Sequence, residues 1–369
     1  MAVSVPALPL VIGHRGAPAE LPEHTREGYL RAFEQGAELV EPDLVASRDG
    51  VLVVRHENEI SGTTDIASRP EFAERRTTRT VDGRTVEGWF TEDFTWAELS
   101  TLRCRERLPL LRPDSAAHDG EWGILRLEDL LTLVDEAQAR LGRRLGVVAE
   151  LKHSRHFRSI GLELEPLLAA ALRATGWADA DDRLVVESFE RSALQRAREE
   201  GVPGSLVYLI EAEGAPPDER ARLGERALPY AAQLTDAGLA ALAAGEGGAA
   251  VDGISVDKVL LLDAAGGGAA PGAVPGTAPG GTAAGAASGQ GGLVERAHDA
   301  GLTVFTWTLR AENAFLEPRF RRGEDPAAPG DWRAEWSAVY ASGVDAVFAD
   351  APGLAVQLRA TSGGRAARR

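Results

Sequence analysis

The sequence predicts an α/β protein built on a (β/α)₈ (TIM) barrel with a small insertion after the third strand. Short apolar runs alternate with amphipathic segments along almost all of the 369 residues, which favours a parallel sheet wrapped by helices. Many of these runs are rich in valine and isoleucine, as is typical of strands covered on both faces. The strand candidates are residues 10–13, 39–44, 51–56, 146–152, 183–188, 205–210, 251–256, 303–308 and 344–349.

These candidates exceed the eight places of a barrel by one. The linker between residues 44 and 51 is too short for a helix, so one unit is irregular. Amphipathic segments at 25–37, 127–142, 161–176 and 333–343 predict helices, several ending near a glycine suited to a helix C-terminus. We expect one catalytic barrel domain over residues 1–360.

Two segments interrupt the strand–helix rhythm. Residues 57–126 lack a long periodic stretch and carry turns, charges and tryptophans, which predicts an insertion with its own small structure. Residues 264–292 consist almost entirely of glycine, alanine, proline and small polar residues. Such a stretch buries too little surface to order itself, so we expect a disordered surface loop.

Composition excludes several function classes. The formal net charge of −16 argues against a nucleic-acid partner, and no apolar run reaches the length of a membrane span. The one cysteine, Cys104, forms neither an intramolecular disulfide nor a cysteine zinc site alone. With no basic, signal-like N-terminal region, we expect a cytoplasmic protein that acts on a small molecule.

The first polar group at a strand end lies in "IGHRG", residues 12–16. In a (β/α)₈ barrel, functional side chains gather at the C-terminal ends of the strands, which is where this motif places His14 and Arg15. The flanking glycines allow a sharp turn and a close approach to a ligand.

Three further strand ends also carry charged or titratable residues. In "VEPDL", Glu41 and Asp43 are two apart and share one face of a strand. Two carboxylates facing the same way repel each other unless a cation lies between them. His56 follows the next apolar run, and Glu150 and Lys152 end the one after it.

Taken together, these residue types indicate a particular chemistry. Carboxylate oxygens suit Mg²⁺ or Ca²⁺ better than zinc, and two histidines outside the metal shell are suited to general acid–base catalysis. The arginine and the lysine suit an anionic phosphoryl group. The set predicts a site that cleaves phosphodiesters with one divalent cation.

The motifs also resemble a known family, the glycerophosphodiester phosphodiesterases, and most closely its larger glycerophosphoryl diester type. The resemblance covers about residues 10–355 and rests on "GHRG", "PEHT", "EPDLVASRDG", "RHENEISGTTD", "AELKH", "VESF", "FTWTLRAEN" and "VFAD". It implies a TIM barrel that hydrolyses glycerophosphodiesters to sn-glycerol 3-phosphate and an alcohol.

The resemblance also implies roles for individual residues. The metal ligands would be Glu41, Asp43 and Glu150, and the acid–base pair would be His14 and His56. Arg15 would contact the phosphate with support from Lys152, while Phe189 and Trp307 would line the glycerol side, with Glu187 as a further candidate there.

Two positions depart from the family pattern. The family often has an aspartate where this chain has Glu57, which leaves the role of that longer side chain open. In "PEHT", where the family commonly has "PENT", we expect a structural role for His24.

Several alternatives stay open at this point. A phosphoinositide- or lysophospholipid-cleaving phosphodiesterase on the same barrel is the main alternative, and a non-catalytic barrel that binds a phosphate ester is a second. The sequence does not separate Ca²⁺ from Mg²⁺, assign the acid and the base, or choose between water and a glycerol hydroxyl as nucleophile. The oligomeric state is also open, with a homodimer as the expectation.

Overall fold

The structure, a computed structural model, describes residues 8–262 and 291–366, with side chains up to residue 361. The low-complexity segment that we predicted to be disordered, 264–292, lies outside the described residues except for its last two.

The barrel is confirmed. Eight parallel strands pair in a closed ring, because the second strand pairs with the first on one side and with the 146–151 strand on the other. In chain order, all strands of the described residues are β1 (Leu10–His14), β2 (Leu39–Glu41), β3 (Asp43–Ala46), β4 (Leu52–Val54), β5 (Thr77–Val81), β6 (Arg84–Gly88), β7 (Gly146–Leu151), β8 (Leu184–Ser188), β9 (Ser205–Ile210), β10 (Gly253–Asp257), β11 (Thr303–Leu309) and β12 (Ala346–Ala349).

The irregular unit lies at the second strand. Pro42 separates β2 from β3, which continues the same path and pairs in parallel with β7. The third predicted strand, 51–56, does not join the barrel: β4 pairs antiparallel with β3. The physical reason is the tight turn at 47–51, which is too short for a helical crossover and therefore reverses the chain. The insertion thus starts from this antiparallel strand rather than from a barrel strand.

Helices surround the barrel, and each of the four predicted amphipathic segments forms a helix. Thr25 caps the first of them by accepting a hydrogen bond from the backbone of Gly28 at 3.1 Å. The helices are α1 (Arg26–Glu34), α2 (Trp96–Leu99), α3 (Pro113–Ala116), α4 (Leu127–Leu141), α5 (Ser154–Ser159), α6 (Leu164–Thr175), α7 (Arg191–Glu199), α8 (Pro217–Leu223), α9 (Tyr230–Gln233), α10 (Asp236–Ala244), α11 (Val259–Leu262), α12 (Leu293–Asp299), α13 (Trp332–Ala341) and α14 (Pro352–Ala366). Among the described helices, none has both the length and the apolar character needed to cross a membrane.

Residues 57–126 contain the β5–β6 hairpin, the short helices α2 and α3 and several 3₁₀ turns. A small aromatic centre holds this segment: the rings of Phe72 and Phe94 meet edge to face at 5.2 Å, and the Trp89 indole donates to the Phe72 carbonyl at 2.7 Å. That 57–126 is an insertion within a single catalytic domain over residues 1–360 stays a prediction.

Inside the barrel, an apolar layer supports the mouth. Its members are Ile12, Leu39, Val148, Val207, Phe305, Ala346 and Phe348, with Val185 packed against them. Side chains on a strand alternate between the two faces. The residue two positions further along each strand therefore points from the same face into the mouth. By this rule Ile12 leads to His14, Leu39 to Glu41, Val148 to Glu150, Val185 to Glu187 and Phe305 to Trp307.

Candidate active site

A cavity of about 1110 Å³ lies at the C-terminal ends of the barrel strands. Of the nine site residues predicted from the sequence, all except Asp43 line it; these are His14, Arg15, Glu41, His56, Glu150, Lys152, Phe189 and Trp307. Asp43 has no exposed surface and lies directly behind them. The structure thus brings the predicted residues to one place, at the end of the barrel where such folds carry their chemistry.

The turn after β1 explains the two glycines of "GHRG". A methyl group on Gly13 would lie 2.7 Å from the Ala32 side chain, and Gly16 adopts a φ of +98°. Arg15 itself has a positive φ of 57°, an uncommon conformation for a residue with a side chain. Its backbone N–H donates to the Glu41 carboxylate at 2.8 Å, which helps to offset the strain.

His14 is oriented by an aspartate at the end of β12. Its Nδ1 lies 2.6 Å from Asp350 Oδ1. Burial is the largest cause that lowers the pKa of His14, to about 4, although the Asp350 charge opposes it. The positive charges of Arg310 and Arg112 hold the pKa of Asp350 well below its usual range despite its burial. An ionised carboxylate only accepts, so Nδ1 carries the proton and Nε2 is the nitrogen left for chemistry.

His56 has a similar arrangement. Its Nδ1 lies 2.5 Å from Glu57 Oε1, which answers the open question about that longer side chain: it orients the imidazole. Burial, followed by the positive charges of Arg15 and Lys152, lowers the pKa of His56 to about 3. Within the described part of the chain, no hydrogen bond is formed by the Nε2 atom of His14 or of His56.

Strand register lines up the carboxylates. Asp43 on β3 is the partner of Glu150 on β7, and Glu150 is in turn the partner of Glu187 on β8. On β2, which also pairs with β7, Glu41 is the partner of His14. Neighbouring residues in register point to the same face of a sheet, so four acidic side chains from four strand segments meet beside the cavity.

Three of these carboxylates form a compact oxygen cluster. One oxygen each from Glu41, Glu150 and Glu187 lies within 4.8 Å of the others, and all three residues are buried. Burial and the neighbouring carboxylates raise the pKa of Glu41 and of Glu187 well above the usual range. Glu187 forms no hydrogen bond or ion pair with any described residue, and its Oε2 is buried without a partner. A buried carboxylate without a partner is costly, so the cluster has the character of a cation site.

Asp43, the third predicted metal ligand, has different neighbours from Glu41 and Glu150. Its Oδ1 lies 3.1 Å from Lys152 Nζ, and its Oδ2 lies 2.9 Å from His24 Nε2 and 3.4 Å from Arg15 Nε. Although burial opposes ionisation, the Lys152 charge and its other neighbours hold the pKa of Asp43 well below the usual range. His24 is fully buried and also contacts the Tyr29 hydroxyl at 2.6 Å, so it packs and orients Asp43, consistent with the structural role expected for it.

Two cations face the carboxylates. Lys152 Nζ lies 2.8 Å from Glu150 Oε1 as well as near Asp43, and Arg15 pairs with Glu23 at 3.1 Å. Both positive groups are buried, where charge is poorly screened and attracts an anion strongly. The cavity therefore holds positive groups in direct contact with its carboxylates.

An aromatic wall closes another side of the cavity. The rings of Phe189 and Trp307 meet edge to face at 5.9 Å, and the Trp307 indole donates to the Ser255 carbonyl at 3.3 Å. Lys152 Nζ lies 5.9 Å from the centre of the Phe189 ring. An apolar surface next to fixed charges suits a small ligand with a carbon skeleton and an anionic group.

The chain matches the model of a known protein family. The model of the glycerophosphoryl diester phosphodiesterase family matches residues 14–354, which is most of the chain. The chain belongs to the glycerophosphoryl diester phosphodiesterase family. It is therefore an enzyme of the phosphodiesterase class, as the sequence resemblance implied.

Individual relatives agree with the family. The chain is 29% identical to glycerophosphodiester phosphodiesterase GDPD6 of Arabidopsis thaliana over 349 residues, covering 94% of this chain and 84% of that protein. It is 27% identical to a glycerophosphodiester phosphodiesterase of Haemophilus influenzae over 221 residues, covering 54% of this chain and 56% of that protein.

Solved structures show the same fold. A Silicibacter pomeroyi protein assigned as a glycerophosphoryl diester phosphodiesterase matches with a TM-score of 0.61 at 22% identity, covering 97% of this chain and 95% of that chain. A phosphodiesterase of Oleispira antarctica, solved in complex with the product sn-glycerol-3-phosphate, matches with a TM-score of 0.54 at 18% identity, covering 95% and 96%.

Sequence reasoning missed several residues of the site. Asp350 lies in the motif "VFAD" and directly follows a strand, so its position was a usable signal. Glu187 was expected only on the glycerol side of the site. Its position two residues after the inward-facing Val185 matches that of Glu150 after Val148, and this spacing was a usable signal. Arg107 and Arg112 carried no such signal, because they lie in a segment without periodicity and reach the site only through the folded insertion.

Proposed function

We propose that the protein hydrolyses glycerophosphodiesters, the deacylated form of phospholipids, to sn-glycerol 3-phosphate and an alcohol with one bound divalent cation. The observation that carries this proposal is that His14 and His56, the acidic cluster and the buried cations Arg15 and Lys152 lie together in one cavity. The Oleispira antarctica protein holds the same product, which supports the choice of substrate.

The residues present fit a divalent cation. The cluster offers only carboxylate oxygens, which suit Mg²⁺ and Ca²⁺, and it contains the unpaired buried Oε2 of Glu187. We propose that Glu41 and Glu150 hold the ion together with Glu187, and we keep Asp43 as a predicted ligand from the adjacent register position. When bound, the ion neutralises charge on the phosphate and polarises its phosphorus–oxygen bonds.

The imidazoles supply the proton transfers. The Nε2 of one histidine takes a proton from the attacking hydroxyl while a new oxygen–phosphorus bond forms. The Nε2 of the other donates a proton to the leaving alcohol as its bond to phosphorus breaks. Both histidines have lowered pKa values because of burial. An incoming phosphodiester anion offsets the nearby positive charges and thereby favours protonation of the imidazole that acts as acid.

Other cavity residues bind and orient the substrate. Arg15 and Lys152 attract the non-bridging phosphate oxygens, whose charge increases in the transition state. Phe189 and Trp307 pack against the glycerol carbons. Either water or the neighbouring glycerol hydroxyl serves as nucleophile, and the second route passes through a cyclic phosphate that ³¹P NMR resolves. The homodimer and the cytoplasmic location stay predictions from the sequence.

The test is release of glycerol 3-phosphate from glycerophosphocholine and glycerophosphoethanolamine. The enzyme is assayed after chelation and after addition of Mg²⁺ or Ca²⁺, with a lysophospholipid as a parallel substrate. We expect turnover of the deacylated diesters that requires added metal. Turnover of the lysophospholipid alone would support the alternative phosphodiesterase activity, and no turnover of any diester would contradict the proposal.

A further inference from the structure

We propose that two arginines of the insertion, Arg107 and Arg112, are positioning residues that orient the cavity histidines His56 and His14 through their carboxylate partners. The inference rests on the proposed function, in which these imidazoles transfer protons. It adds a role for the 57–126 segment that neither the fold nor the family match assigns. Both arginines lie in one short stretch, residues 105–112.

Arg107 joins two carboxylates with paired hydrogen bonds. Its Nη1 and Nη2 donate to Glu57 Oε1 and Oε2 at 2.9 and 2.7 Å. Its Nε and Nη2 donate to Glu23 Oε2 and Oε1 at 2.8 and 2.7 Å. Glu57 orients His56, and Glu23 holds Arg15. Since a guanidinium donates in a fixed planar fork, Arg107 sets the position of a catalytic imidazole and a phosphate-binding group together.

Arg112 contacts the carboxylate partner of the other imidazole, His14. Its Nη2 donates to Asp350 Oδ2 at 2.6 Å while its Nε donates to Glu312 Oε1 at 2.7 Å. The other oxygen of Asp350 contacts His14 Nδ1. Here the arrangement has a second support, because Arg310 also donates to Asp350 Oδ2 at 2.7 Å. Glu57 has no such second arginine among its described contacts.

The stretch that carries both arginines is fixed by its own hydrogen bonds. Glu106 is buried, and its carboxylate accepts from the Leu108 backbone at 2.8 Å and from the Ser115 hydroxyl at 2.5 Å. The Glu106 backbone N–H donates to Asp119 Oδ1 at 2.7 Å. A side chain mounted on such a braced loop holds its geometry better than one on a free loop.

Orientation matters because a proton transfer needs hydrogen-bond geometry at the reacting atom. A carboxylate that drifts no longer fixes the imidazole, so the ring rotates and the proton is shared between Nδ1 and Nε2. Because Arg107 is the one arginine that contacts Glu57 among the described residues, loss of Arg107 affects His56 strongly. Loss of Arg112 affects His14 less, since Arg310 remains.

The test compares Arg107→Gln and Arg112→Gln with the control Arg105→Gln. Arg105 belongs to the same stretch, is exposed, and its side chain has no partner among the described residues. Turnover of glycerophosphocholine and the ¹⁵N NMR signals of the imidazoles are measured in the full-length metal-loaded enzyme, with melting temperature as the folding control. We expect Arg107→Gln to lower kcat about 10²-fold and to shift the ¹⁵N signals of His56 but not those of His14. Arg112→Gln should shift those of His14, with a smaller loss of kcat.

Arg107→Lys covers the case in which the glutamine variant does not fold, because it keeps the charge but loses the fork. We expect it to keep its melting temperature and still lose at least about tenfold in kcat. Folded variants with unchanged kcat and imidazole signals would overturn the inference, as would an equal effect of Arg105→Gln. The imidazole ¹⁵N signals are measured without substrate. If the wild-type enzyme is inactive, the proposed function is overturned, but the signals still test whether the arginines orient the imidazoles.

Discussion

Glu150 and Glu187 are partners in the parallel register of β7 and β8, and both carboxylates belong to the buried cluster whose oxygens lie within 4.8 Å of one another. Glu150 has the ammonium group of Lys152 beside it at 2.8 Å, whereas Glu187 has no partner among the described side chains. Burial and the neighbouring carboxylates disfavour the ionised form of Glu187 and raise its pKa well above the usual range, and the proposed divalent cation would reverse that preference.

Replacing Glu187 by Gln should raise the stability of the metal-free enzyme and weaken its binding of the cation. The amide has nearly the same shape but removes a carboxyl group whose ionised form burial and the neighbouring carboxylates disfavour. We expect a higher melting temperature in the presence of chelator and about a tenfold or greater loss of metal affinity. Differential scanning calorimetry and isothermal titration calorimetry measure the two effects.

Glu190→Gln is the matched control for this prediction. Glu190 is also buried beside the cavity, and burial raises its pKa to about 8, but it is not part of the oxygen cluster. The Glu190→Gln substitution should change the stability of the enzyme without changing its affinity for the metal. An unchanged affinity in Glu187→Gln would remove that residue from the ligand set.

Much of this site followed from the sequence because strand ends in a barrel are positions that alternation and register determine. His14, Glu41 and Glu150 each continue an inward-facing apolar position by two residues, and the fold brings them to one rim. The same rule applied to Val185 identifies Glu187. What the sequence could not show is pairing across long separations, such as Arg112 with Asp350, because a non-periodic insertion gives no register from which to infer contacts.

Alanine at His14 or at His56 should lower kcat by about 10²–10⁴-fold, the usual contribution of a general acid or base. In each ring a carboxylate holds Nδ1, and Nε2 forms no hydrogen bond with the described residues, so each removal deletes one proton transfer. Steady-state kinetics with glycerophosphocholine measure the effect, and circular dichroism and metal titration serve as controls. A variant with near-normal turnover would exclude that histidine from the mechanism.

Asp350→Asn should slow the enzyme while leaving metal binding intact. An amide at this position offers His14 Nδ1 either an acceptor or a donor, so the imidazole no longer has one enforced tautomer. We expect a fall in kcat of at least about tenfold and a lower melting temperature, since Arg112 and Arg310 lose a charged partner. Normal kcat in a folded variant would show that His14 does not need this carboxylate.

His14 should make the enzyme less stable as the pH falls. Burial lowers its pKa to about 4 from 6.5, so between these values the unfolded state binds the proton more readily than the folded state. The contribution is complete above pH 6.5 and is lost as the pH falls towards 4. Relative to His14→Gln, the wild-type free energy of unfolding should fall by about 2 kcal/mol between pH 7 and pH 5. Denaturant titrations of both proteins measure this difference, and a difference independent of pH would show that the imidazole titrates normally.

The central claim is that one cation, bound by the acidic cluster beside two imidazoles, is needed for phosphodiester hydrolysis. The most direct measurement is turnover of glycerophosphocholine while Mg²⁺ or Ca²⁺ is titrated into chelator-treated, dialysed enzyme. We predict negligible turnover at the start and a rise that saturates as one ion per chain is bound. Full turnover by the metal-free enzyme, or none at any metal concentration, would contradict the account.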